Sequence, residues 1–183
     1  MKSAVSRTLA FAAAMLIGGA ALAQGVKTVG GAPMYPSKTI VENAVNSKDH
    51  TTLVTAVKAA GLVDTLSGPG PFTVFAPTNA AFGKLPAGTV ETLVQPQSKP
   101  MLTSVLTYHV VPGKYSAKEL TALAKKGGGQ AELKTVQGGT LAVVSKGGKV
   151  YVADDKGNTA RVTVADVSQS NGVIHVIDKV MMP

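Results

Sequence analysis

Three histidines, His50, His109 and His175, are the side chains of this sequence that titrate nearest neutral pH. With no cysteine present, they carry its widest choice of acid–base and metal-binding chemistry. A hydrolytic site would set a serine or threonine against a histidine, and that histidine against a carboxylate. His175 and Asp178 are the tempting pair. They lie three apart in GVIHVIDKV, a run that predicts a strand, and on a strand such residues point to opposite faces. Neither G-x-S-x-G nor H-E-x-x-H occurs. Asp154-Asp155-Lys156-Gly157-Asn158 raises calcium, but an EF-hand loop counted from Asp154 needs Gly sixth and Glu twelfth. This chain has Thr159 and Ala165 there, and a hairpin turn is the better reading. No Gly-rich phosphate loop or dinucleotide fingerprint is present. The expectation is a protein that is not an enzyme and carries no cofactor or metal. His109 lies in LTYHVVPGKYS, where a helix gives way to an extended segment among apolar neighbours. That context favours a buried, neutral, hydrogen-bonded imidazole.

The elements that position these residues divide the chain. In the first half Leu53, Val54, Val57, Leu62, Val63 and Leu66 recur at helical spacing. Asp49 is the expected cap of a helix through His50–Ala60, with Gly61 interrupting or ending it. TVETLVQ suits a short helix, and KPMLTSVLTY a longer one with Pro100 in its first turn. In SAKELTALAKK, Ser116 and Glu119 make a capping box and Gly127 ends the helix. The second half reads as strands: LKTVQ, TLAVVS, KVYVA, ARVTVADV and GVIHVIDKV, separated by Gly-rich and Asp-rich turns. Helices followed by a strand meander predict an α+β domain with a mainly antiparallel sheet system.

FTVFAPTNAAF, residues 72–82, predicts a strand-to-helix corner. Pro77 biases Ala76 toward extended geometry, and Thr78 is placed to cap a short helix over NAAFGKL. Asn79 carries donors and acceptors, and the expectation is that the Thr78/Asn79 corner supplies a polar partner to His109. In the last strand Val173, His175 and Ile177 face one way, and Ile174, Val176 and Val180 the other. Apolar residues on both sides predict a central strand covered on both faces.

Residues 1–23 read as a secretory signal peptide: Lys2 and Arg7, an apolar stretch from about Leu9 to Leu22, and Ala21-Leu22-Ala23 before cleavage. The mature chain is expected to start at Gln24 with no transmembrane anchor. Without cysteine it has no lipid attachment there and no disulfide. Residues 24–38, rich in Gly and Pro, predict an extended lead-in, and residues 39–183 one domain. The net charge of the full chain is +8, but the lysines are scattered and Arg161 is the one arginine beyond the leader. Specific nucleic-acid binding shows clustered Lys and Arg with stacking aromatics, and neither pattern is present.

FTVFAPTNAAF, LTYHVVPGKYS and NGVIHVIDKVMMP resemble, in order and approximate spacing, the first box, the Tyr-His motif and the second box of the fasciclin (FAS1) domain. The resemblance covers about residues 39–183. It implies the FAS1 fold, a β-sandwich or wedge of mainly antiparallel strands flanked by several α-helices. It also implies a periplasmic or secreted module for cell adhesion or surface association, with a protein or polysaccharide partner. In animal members the region around the Tyr-His motif is linked to integrin binding. Here it maps onto Tyr108 and His109, with Leu106, Val110 and Val111 as apolar flanks, and an integrin is not carried over to a chain of bacterial type. Thr78 and Asn79 join these as expected contact residues, and a structural role stays open for all of them. The family often has an acidic residue where this chain has Ala80, so no carboxylate role is assigned there. Some FAS1 proteins bind hydrophobic molecules, which keeps open a second expectation: a carrier holding a lipid or pigment in an apolar groove lined by Met and Val.

Overall fold

The computed structural model describes residues 25–183; the expected signal peptide lies outside the described residues. The chain opens with a hairpin, β1 (Lys27–Val29) and β2 (Ala32–Met34), closed by Gly30-Gly31, both at positive φ, as a two-residue turn requires. Helices α1 (Ile40–Ala44), α2 (Thr51–Ala60) and α3 (Val63–Ser67) follow, then strand β3 (Phe72–Pro77) and helices α4 (Asn79–Gly83), α5 (Thr89–Leu93) and α6 (Lys99–Tyr108). After β4 (Val110–Pro112) and α7 (Ala117–Lys126) come β5 (Gln130–Lys134), β6 (Thr140–Lys146), β7 (Lys149–Ala153), β8 (Thr159–Gln169) and β9 (Gly172–Ile177). The lead-in is thus not simply extended. Its hairpin buries Val29 and Met34 in the core, a contribution that three inward apolar positions and a proline in β2 give little pattern to announce.

The main sheet has the order β4-β3-β9-β8-β7-β6-β5. Every pairing is antiparallel except β3 with β9, which run parallel from Phe72 opposite Gly172 to Pro77 opposite Ile177. The first and third boxes are therefore neighbouring strands. Gly172 is required at this junction, because a Cβ there would meet the Phe72 carbonyl. The β8 ladder shifts register twice, between Val162 and Val167, and Asp166 takes a left-handed φ of 55°. Across the sheet's two ends, Val136 N–H donates to the Val110 carbonyl at 2.8 Å and draws the wedge together.

Alternation along β3 and β9 divides the interior into two cores. Val74, Ala76, Ile174 and Val176 face a core built with helices α1–α6 and the hairpin. Phe75 and Ile177 face a second core, with Tyr108, Leu120, Leu141, Val143, Val152 and Met181. All six residues of β9 are buried, as a central strand covered on both faces demands. Local signals hold at the helix ends. Gly61 closes α2 in the left-handed conformation, and Ser116 with Glu119 forms the capping box of α7.

Candidate functional site

At the strand-to-helix corner Thr78 caps α4, its hydroxyl accepting Ala81 N–H at 3.2 Å. Asn79 does not reach toward His109. Its Oδ1 accepts Thr52 N–H at 3.0 Å, and its Nδ2 donates to the Lys48 carbonyl at 2.8 Å and to the Thr51 hydroxyl at 2.9 Å. The physical reason is an unmet need elsewhere. Asp49 lies within a 3-10 turn, Lys48–His50, rather than at the cap, and α2 starts at Thr51 without a capping side chain of its own. One of its orphan N–H groups, that of Thr52, takes Asn79 instead. We expect Asn79→Ala to lower stability by about 0.5–2 kcal/mol, the range for a lost N-cap. A urea midpoint within error of the wild type would remove Asn79 from that role.

His109 finds its partners at the two ends of its own neighbourhood. Nδ1–H donates to the Val105 carbonyl at 2.8 Å, one turn back in α6, and Nε2 accepts Met181 N–H at 3.0 Å. This fixes one neutral tautomer. Burial pushes the imidazole pKa down to about 4, against the opposing effects of the Val105 carbonyl and Asp154. Tyr108 points into the second core, where its hydroxyl donates to the Thr140 carbonyl at 2.6 Å and accepts Asp155 N–H at 3.3 Å. Leu106 and Val110 pack in the first core and Val111 in the second. Tyr108 is 0% exposed and His109 2%, so these side chains shape a surface only from beneath it.

One neighbour of this cluster carries no motif of its own. Asp154, buried in the β7–β8 turn, accepts Lys156 N–H and Asn158 N–H through Oδ1 at 3.0 and 2.8 Å, and Met182 N–H through Oδ2 at 3.3 Å. Tyr108, His109 and Asp154 therefore fasten α6, the β7–β8 turn and the C-terminal Met181-Met182 to one another. The DDKGN turn gave the one available hint, since Asp followed four residues later by Asn suits a side-chain-closed turn. His175 is likewise occupied. Its Nδ1 accepts Asp166 N–H at 3.2 Å, its Nε2–H donates to the Tyr115 carbonyl at 2.7 Å, and its ring stacks on Phe75. Asp178 turns away to accept Arg161 N–H at 2.8 Å. Among the described residues, no three His, Asp or Glu side chains gather to hold a common metal ion.

These three boxes, joined as one strand pair and one buried latch, coincide with a match to the family model of the fasciclin domain over residues 48–183. The chain belongs to the fasciclin family. It is 52% identical over 145 residues to protein sll1483 of Synechocystis, covering 79% of this chain and 73% of that one. It is 39% identical to the immunogenic protein MPB70 of Mycobacterium bovis, covering 76% and 66% of the two chains. To the cell surface glycolipoprotein MPB83 of the same species it is 37% identical, covering 76% and 58%. A FAS1 domain pair from the insect cell adhesion molecule Fasciclin I superposes with a TM-score of 0.68 at 21% identity, over 78% of this chain and half of that one, which shows the shared fold. The fasciclin domain so placed is α+β, and no helix among the described residues is long and apolar enough to cross a membrane.

Two concavities mark its surface. One is an apolar cavity of about 40 Å³ beneath the hairpin, walled by Val29, Met34, Ile40, Leu53, Val57 and Ile174, with His50 among its lining. The other is an open cleft of about 550 Å³ between the hairpin, the β8 bulge and the start of α7, its mixed lining including Lys27, Lys114, Ser116, Glu119, Asp166 and Ser168 beside Met34 and Val173.

Proposed function

We propose that this fasciclin domain is an exported, non-enzymatic module for adhesion or surface association, acting on a protein or polysaccharide at the cell surface. The observation that supports it most is the fate of the polar side chains in its three boxes. Asn79, Tyr108, His109, His175 and Asp178 each make hydrogen bonds to backbone groups of the fold, leaving no convergent acid, base and nucleophile. The names of the mycobacterial relatives, an immunogenic protein and a cell surface glycolipoprotein, are in keeping with an exposed location. The contact surface is then supplied by exposed groups around the buried motif. The open cleft is the concave part of that surface, its volume within the roughly 300–1,000 Å³ usual for ligand sites. It sets two exposed lysines, Lys27 and Lys114, beside two carboxylates, Glu119 and Asp166, a mixed-charge lining that suits a polar partner such as a polysaccharide.

The test is retention on envelopes isolated from the native host. The mature protein sediments with them, Lys27→Glu/Lys114→Glu lowers retention at least fivefold, and Lys125→Glu/Lys149→Glu, of equal charge change, leaves most of it. Retention that survives in the cleft variant, or is lost equally in both, overturns the assignment.

A second reading, a carrier of a small hydrophobic molecule, is favoured by one observation: the Val- and Met-lined cavity beneath the hairpin.

A further inference from the structure

Asn171-Gly172 is the one Asn-Gly pair in the chain. Asparagine is most open to self-modification in that context, because glycine sets no side chain in the way when its backbone nitrogen turns back on the carboxamide. The Gly172 nitrogen attacks Cγ of Asn171 and gives up its proton, ammonia leaves, and a five-membered imide closes. Water then opens the ring. Addition at the side-chain carbonyl yields aspartate. Addition at the backbone carbonyl yields isoaspartate, with the chain rerouted through Cγ. Solvent water is the one co-reactant.

In the folded domain both reacting groups are held. Asn171 is 8% exposed. Its Oδ1 accepts Ile40 N–H at 3.1 Å, and its Nδ2 donates to the Leu66 carbonyl at 2.6 Å and the Gly68 carbonyl at 3.0 Å. Its backbone carbonyl accepts Phe72 N–H at 3.0 Å. This residue thus ties the start of α1, the end of α3 and the head of β3 to the β8–β9 turn. Gly172 is pinned as firmly, between Phe72 on one side and Gln169 on the other. Ring closure would require the carboxamide to leave all three partners and the turn to leave its strand pairings.

The products do not fit the same place. One oxygen of an aspartate could keep the Ile40 N–H. The other would face the Leu66 and Gly68 carbonyls with no hydrogen to give, as a buried charge without a partner. Isoaspartate adds a backbone methylene inside the two-residue turn, Ser170-Asn171, that sets the register of β8 against β9. We infer that Asn171-Gly172 is a deamidation site that folding closes: the unfolded chain modifies itself there, and the modified chain cannot rebuild the domain. Time spent unfolded is then recorded in a covalent bond, and unfolding becomes irreversible.

The experiment holds the mature chain near neutral pH for increasing times, in native buffer and in guanidinium chloride. Both samples are then diluted into native buffer, and refolded chains are separated from unfolded ones by size exclusion. Trypsin releases residues 162–179, in which Asn171 is the one asparagine, and mass spectrometry follows the exchange of its amide nitrogen for oxygen. The expected conversion is at least tenfold faster in guanidinium chloride, with the modified peptide confined to chains that fail to refold. Equal rates in the two samples, or no conversion in guanidinium chloride, overturns the site. Modified peptide in the refolded pool, at the share it has in the whole sample, overturns its consequence. Asn171→Asp supplies one product directly and is expected not to fold or to unfold at lower urea; a wild-type midpoint overturns the consequence as well. Should chains diluted at time zero not refold, the rate comparison and Asn171→Asp decide alone.

Discussion

We expect the domain to lose about 3 kcal/mol of stability between pH 6.5 and about 4 through His109 alone. The unfolded imidazole titrates near 6.5, and the folded one is depressed to about 4. Above 6.5 both states are neutral and the full stability is present. As the pH falls through this window the unfolded chain takes up a proton that the native chain refuses, and the balance shifts toward unfolding. Below about 4 both are protonated and the loss is complete. The separation, at about 1.4 kcal/mol per pH unit, sets the size. The geometry gives the cause. A proton on Nε2 would face the N–H of Met181 in place of a lone pair, inside a dry site. Burial also lowers the pKa of His50 and His175, so they add to the loss in the same direction. The capping carboxylates Glu42 and Glu119 are held below the usual range by hydrogen bonds from Thr39 and Ser116. They weaken the fold only as the pH drops below their unfolded value of 4.5. Urea unfolding at half-unit pH steps checks this, with His109→Gln as the control. The variant is less stable at pH 7 and has a shallower slope between 6.5 and 4; an unchanged slope would show that His109 is not the source.

The second large effect is at Tyr108. Tyr108→Ala empties a fully enclosed site in the second core, and we expect a loss of about 3–5 kcal/mol, typical of a large aromatic truncated to alanine. Tyr108→Phe keeps the ring but strands the Thr140 carbonyl and Asp155 N–H, at about 1–3 kcal/mol. The two variants together separate packing from hydrogen bonding. Envelope retention measured on Tyr108→Phe, which stays folded, is expected to match the wild type. A retention defect in a folded Tyr108→Phe would return the motif to the contact surface. Near wild-type stability in Tyr108→Ala would sink the account of Tyr108 as a core residue.

Local chemistry explains which parts of this fold were legible in the sequence. A capping box needs only Ser116 and Glu119, and a left-handed helix end needs only Gly61, so both could be read within one turn of chain. The two-faced pattern of residues 173–177 likewise lies within a single strand, and it placed β9 inside the sheet rather than at an edge. Partners distant along the chain left weaker traces. Asn79 was legible as a hydrogen-bonding strut, but its partners lie 27 to 31 residues earlier, at a helix end that lacks a cap of its own. The parallel pairing of β3 with β9 depends on backbone geometry that no side chain announces. The hairpin has too few inward residues to show a period, and Pro33 argues against a strand except at an edge, which is where it lies.

The pairing of the first box with the last also bears on when this domain can close. β9, which separates the two cores, and Met181-Met182, which His109 and Asp154 fasten, come after every described helix in the chain. Until they arrive, β3 lacks its parallel neighbour and the buried imidazole lacks its N–H donor. The helices can gather early, but residues 172–182 seal the interior. Closure of the domain therefore waits on a strand pairing that spans 100 residues, from Phe72 to Gly172, the kind of long-range contact that slows folding.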